Sequence, residues 1–145
     1  MKLETRQFGP LEIEPASIIT FPSGLLGFED LKRFVLLERP EIAPLEWLQS
    51  VENPQIVFTV IDPTVVFGNY QPALTPEDWQ ALDLAEGSEL RVRVLVTVPK
   101  DPSEMTANLL GPLVLDPAGG KGRQVVLHDS EYPVRQRLIP EPVAV

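Results

Sequence analysis

The chain has 145 residues, 43% hydrophobic and 23% charged, with no cysteine and one histidine. This describes an ordinary folded domain that buries its core without disulfides or structural zinc. The longest charge-free stretches, residues 15–28 and 63–76, are 14 residues each and broken by proline, short of the roughly 18 to 20 that a membrane helix needs. The formal net charge of −9, from 12 basic and 21 acidic residues, argues against direct nucleic-acid binding, which rests on Lys and Arg neutralising phosphates.

Sixteen prolines punctuate the apolar runs, about twice the usual share, as in a domain of many short strands. Leu3 and Thr5 alternate with Glu4 and Arg6, and beyond Gly9-Pro10 Leu11 and Ile13 alternate with Glu12 and Glu14, which predicts an opening hairpin. A third strand is expected over 17–21, a glycine-flanked turn over 25–28 and one helical turn over 29–33. Residues 34–37, 46–51 and 56–61 are β-branched or aromatic runs bounded by turn residues, the pattern of buried strands. One helix is predicted to open at Thr75 as N-cap, with Pro76 at the first position and Glu77 and Asp78 at the positive end of the dipole, and to end near 84–87.

The clearest strand follows, with Leu90, Val92, Val94, Val96 and Val98 on one face and Glu89, Arg91, Arg93, Leu95 and Thr97 on the other. Asp101-Pro102-Ser103-Glu104 repeats the capping pattern for a short turn. The run over 113–115, the loose loop around Gly119-Gly120 and an answering strand over 124–127 predict a closing hairpin. About nine short strands and one or two small helices imply a mainly β fold: a small, mostly antiparallel, closed or nearly closed β-barrel.

Chemistry is sparse. His128-Asp129-Ser130 has the residue types of a hydrolytic triad, but consecutive residues of extended chain point to opposite faces. Gly119-Gly120-Lys121-Gly122 lacks the spacing and helix of a phosphate loop, and no calcium-loop or zinc spacing occurs. No catalytic, metal-binding or cofactor residue is therefore assigned. A binding protein is favoured over an enzyme; a β-barrel hydrolase using acidic residues and a carbohydrate- or peptide-binding module are the alternatives. Residues 38–89 hold ten acidic side chains and one basic one, Arg39, which is either a solubilising surface or a face for a basic partner. The candidate interface is the turn carrying Met105, Thr106, Asn108, Leu109 and Leu110, adaptable because it mixes Met and Leu with polar groups, with Phe8 and Trp47 placed behind it. The opening Met1-Lys2-Leu3-Glu4-Thr5-Arg6 lacks the apolar stretch of a secretory signal, so the cytoplasm is the expected compartment.

Several segments together resemble the flagellar assembly factor FliW family. They are Phe21-Pro22-Ser23-Gly24-Leu25-Leu26-Gly27-Phe28-Glu29 with Phe34, then Trp47-Leu48-Gln49-Ser50-Val51. The most specific is Val96-Thr97-Val98-Pro99-Lys100-Asp101-Pro102-Ser103-Glu104-Met105-Thr106-Ala107-Asn108-Leu109 with Pro112. Residues 122–127 with Tyr132 and Arg135 complete the match. The resemblance implies a single barrel domain over 1–137, with 138–145 as a flexible C-terminal tail. It also implies a cytoplasmic, non-enzymatic protein that binds the RNA-binding translational regulator CsrA away from its RNA surface, and that binds flagellin monomers in competition. No membrane and no direct nucleic-acid contact is implied.

Overall fold

The computed structural model describes residues 1–128 and 130–139. Two short strands, β1 (Lys2–Thr5) and β2 (Gly9–Glu12), form the predicted hairpin as a sheet of their own. Its turn lies earlier than Gly9-Pro10: Gly9, at φ +67, already pairs with Thr5, and the Thr5 hydroxyl accepts the Phe8 N–H at 2.9 Å. The remaining strands are β3 (Ile18–Thr20), β4 (Arg33–Leu37), β5 (Leu45–Ser50), β6 (Val57–Ile61), β7 (Arg91–Thr97), β8 (Thr106–Ala107), β9 (Leu113–Asp116), β10 (Lys121–Gln124) and β11 (Gln136–Arg137). Seven of them, in the order β3-β4-β5-β6-β7-β9-β10, close on themselves through β7–β9 and the single-residue parallel pairing of β10 with β3. The other barrel pairings are antiparallel. The predicted closed, mostly antiparallel barrel is thus the fold, and closure removes the free strand edges that an open sheet would expose.

The barrel interior is filled by Ile19, Phe21, Phe34, Leu48, Val60, Leu113 and Leu115. Phe21 and Phe34 meet edge to face, with ring centroids 5.6 Å apart. Room for Phe21 comes from Gly122, where a Cβ would lie 2.6 Å from the ring. Further along the same side of β5 and β7, Arg93 donates to the Glu46 carboxylate at 2.5 Å, both side chains 13% exposed.

Two further apolar clusters lie outside the barrel wall. Leu3, Ile13 and Val35 fix the N-terminal hairpin over β4. The larger one gathers Val94, Val96 and Val114 from the outer faces of β7 and β9 with Ile61, Tyr70, Leu82, Ala107, Leu109, Val125 and Leu127. Helices α1 (Pro63–Val66) and α2 (Pro76–Ala81) and the strand pair β8–β11 belong to this outer layer. Helix α2 opens at Thr75 as predicted, and Asp78 completes a reciprocal capping box by accepting the Thr75 N–H at 2.9 Å.

Several expectations are corrected. The expected turn over 25–28 forms, but the helical turn over 29–33 shrinks to one hydrogen-bonded turn, Leu31 N–H to Phe28 C=O at 3.1 Å, because the Glu52 carboxylate takes the Lys32 and Arg33 N–H groups at 2.5 and 2.8 Å. Helix α2 stops at Ala81 rather than near 84–87, because Asp83 adopts φ 57, a left-handed conformation that ends a helix. Helix α1 was not expected. The strand answering 113–116 is 121–124 rather than 124–127; residues 125–127 continue antiparallel, Val125 N–H to Pro112 C=O and Leu127 N–H to Leu110 C=O, both at 2.9 Å. Val98 leaves the buried face of β7 and is 53% exposed. Leu138, the first residue of the expected tail, packs on the outer cluster, its N–H donating to the Met105 carbonyl at 3.2 Å. Of the segment expected as a tail, 140–145 lie outside the described residues.

Candidate protein-docking surface

The Met105 turn is built on Asp101. Its Oδ1 accepts the Ser103 hydroxyl at 2.7 Å and the Ser103 N–H at 3.0 Å, and these two bonds hold the Asp101 carboxyl below the usual carboxylate range. With Pro102 at the first position, the result is one 3-10 turn over Pro102–Glu104 that delivers Met105 to its end. Thr106 enters β8. Asn108 donates its N–H to Leu95 C=O at 2.9 Å, while its Oδ1 accepts the N–H groups of Leu110 and Gly111 at 3.0 and 3.1 Å. Leu109 is fully buried in the outer cluster, and its carbonyl accepts the Tyr70 hydroxyl at 2.6 Å. Burial, then the neighbouring Tyr132, push the Tyr70 phenol above its ordinary value, so the hydroxyl stays a donor. Of the predicted residues here, Met105, Thr106, Asn108 and Leu110 keep partial exposure. Leu109 and the Asn108 carboxamide oxygen serve the fold.

Phe8 and Trp47 pack on each other, with centroids 4.6 Å apart, but do not stand behind this turn. Trp47 pairs with Thr59, Thr59 with Val96, and Val96 with Ala107. Three strand steps of about 4.8 Å separate Trp47 from β8, some 14 Å. The aromatic pair is part of the joint between the N-terminal hairpin and β5.

A different set of residues stands beside Met105. An apolar groove of ≈ 290 Å³ runs between residues 42–45, Ile61 with helix α1, Met105 and residues 138–139. Val65 and Ile139 on its walls are 55% and 47% exposed. One wall exists because Asp62 caps α1: its Oδ1 accepts the Thr64 N–H at 2.9 Å and the Thr64 hydroxyl at 2.7 Å, with Pro63 at the first helical position. Asp62-Pro63-Thr64 is the same Asp-Pro-hydroxyl triplet as Asp101-Pro102-Ser103. That repetition was the signal from which this turn could have been read.

The acidic stretch 38–89 divides by role. Glu46 is paired with Arg93, Asp78 with Arg123 at 2.9 Å, Asp83 with Lys121, and Glu38 with Arg91 at 3.7 Å, while Glu52 and Asp62 cap backbone. Burial raises the Asp78 carboxyl, but hydrogen bonds from Thr75 and Arg123 outweigh it and leave the group below its ordinary value. Glu41, Glu77, Glu86 and Glu89 are solvent-exposed. Among the described residues, no group of three or more His, Cys, Asp or Glu could hold a metal, and no helix is long and apolar enough to cross a membrane. Lys121 and Gly122 of the glycine-rich run lie in β10. His128 is exposed, and Asp129 lies outside the described residues.

Comparison with known proteins agrees over the whole described fold. The family model described as "FliW protein" matches residues 2–138. A flagellar assembly factor FliW of Natranaerobius thermophilus is 42% identical over 95% of this chain and 92% of its own length. One of Geobacter sulfurreducens is 42% identical over 91% and 82%. The crystal structure of a flagellar assembly factor FliW superposes with a TM-score of 0.89 at 33% identity, covering 99% of this chain and all of that one. A family match over residues 2–138 and a superposition that covers 99% of the chain make this chain a member of the FliW family of flagellar assembly factors.

Proposed function

We propose that the chain works in the cytoplasm as a non-enzymatic partner switch: it binds CsrA, relieves repression of flagellin translation, and is drawn off CsrA by newly made flagellin. The observation that carries this reading is the family match over 2–138, in a protein whose relatives are named as flagellar assembly factors. The exposed carboxylates of the 38–89 stretch add a physical contribution. An RNA-binding partner carries a cationic face, and docking Glu77, Glu86 and Glu89 near it would set carboxylates beside RNA phosphates. Two unit charges 10 Å apart in water repel by roughly 0.4 kcal/mol before screening. Several such pairs total about 1–2 kcal/mol, near tenfold in RNA affinity, so exclusion of RNA also needs shape or conformational change in the partner.

Calorimetric titration of the chain into CsrA and, separately, into monomeric flagellin tests the reading. Heat from both, with the CsrA titration abolished by prior saturation with flagellin, is the expected result. Absence of heat from both folded partners would overturn it.

A further inference from the structure

The groove beside Met105 draws its walls from four separate segments, and at three of them a carboxylate adjoins an apolar lining residue. Glu41 precedes Ile42, Glu46 follows Leu45, Asp62 follows Ile61 and Glu104 precedes Met105. Glu46 is neutralised by Arg93. Glu41 and Glu104 are exposed, and Asp62 is partly so. Arg137, on the same rim, turns its guanidinium back onto the carbonyls of Ser103 and Ile139 at 3.1 and 3.2 Å. The floor is apolar and includes Met105, whose unbranched thioether adapts to varied shapes. Val65 and Ile139 leave more than two-fifths of their surface in water, an arrangement that marks interaction sites when it is rimmed by polar groups.

We infer that this groove is a docking site for an apolar peptide segment flanked by Lys or Arg, its aliphatic side chains seated between Val65, Met105 and Ile139 and its basic flanks facing Glu41, Asp62 and Glu104. The apolar floor supplies affinity, while the carboxylates select charge and speed encounter. An acidic-flanked segment of equal hydrophobicity is rejected, because its charges would face the rim carboxylates. The inference goes beyond the partner-switch reading and does not depend on which protein carries the segment.

The test uses the full chain and two labelled 14-residue amphipathic peptides, one of leucine and lysine, the other of leucine and glutamate in the same spacing. Fluorescence anisotropy should detect the lysine peptide and not the glutamate peptide. Val65→Arg and Ile139→Arg, both at exposed positions, should each weaken lysine-peptide binding by about tenfold or more with the fold unchanged by circular dichroism. Glu41→Gln combined with Glu104→Gln should weaken it by about threefold at low salt and little at high salt. Binding that ignores Val65→Arg, equal binding of the two peptides, or no binding overturns the assignment. So do two other results for the free protein: self-association that Val65→Arg abolishes, which gives the groove to a second copy, or NMR contacts from the Val65 methyls to residues 140–145, which give it to the chain's own end. Titrations with CsrA and flagellin read the partner switch separately, so either proposal can fail while the other stands.

Discussion

The two sides of β7 follow different logics. On the barrel side Leu95 packs with the closed interior, and Arg93 on the same face is matched by Glu46. On the outer side Val94 and Val96 are covered by elements from beyond the wall, a layer held by many separate anchors: the Tyr70 hydroxyl on Leu109, the Asp78–Arg123 pair and Leu138 on Met105. That layer ends in a groove where Val65 and Ile139 stay in water. A closed barrel completes its own core, so the outer layer can present apolar surface without endangering the fold. The exposed apolar surface thus lies outside the wall, at the end of the outer layer.

The comparison breaks if interior and exterior substitutions prove alike. Phe34→Ala, in the interior, should cost about 3–5 kcal/mol in denaturant unfolding, the largest effect of the set. Glu46→Ala should cost about 3 kcal/mol by leaving Arg93 without its partner, whereas Glu46→Leu with Arg93→Met should recover most of that loss. In the outer layer, Asp78→Asn should cost about 2 kcal/mol at neutral pH through the lost cap and ion pair. Because the folded Asp78 carboxyl lies below its ordinary 3.8, its contribution is complete above that pH and lost as the pH falls through the lower folded value. The gap between wild type and Asp78→Asn in urea titrations should accordingly close in acid. Smallest of all, Val65→Arg should change the unfolding free energy by no more than about 0.5 kcal/mol.

The positions of most barrel strands were legible, because short β-branched runs between prolines and glycines leave few alternatives, whereas the closing pairs β7–β9 and β10–β3 join segments far apart in sequence. The Thr75 helix start was legible too, since its capping residues lie side by side in sequence. What was hidden depended on contacts across the fold. The Glu52 carboxylate that curtails the helical turn at 29–33 reaches across 20 residues. Alternation along β7 correctly separated its two faces, yet both carry side chains packed against different partners, which a period of two does not reveal. The partner of Arg93, Glu46, lies 47 residues away and is not marked by any local pattern. The candidate groove was legible only as far as Met105, since it depends on α1 and residues 138–139, segments with weak local signatures.

The most direct test of the central claim follows labelled flagellin-leader RNA bound to CsrA by fluorescence anisotropy. The protein is added to saturation, and monomeric flagellin is added afterwards. The partner switch predicts a fall in anisotropy on the first addition and its recovery on the second. RNA that stays bound throughout, with the protein shown to be folded, would contradict it.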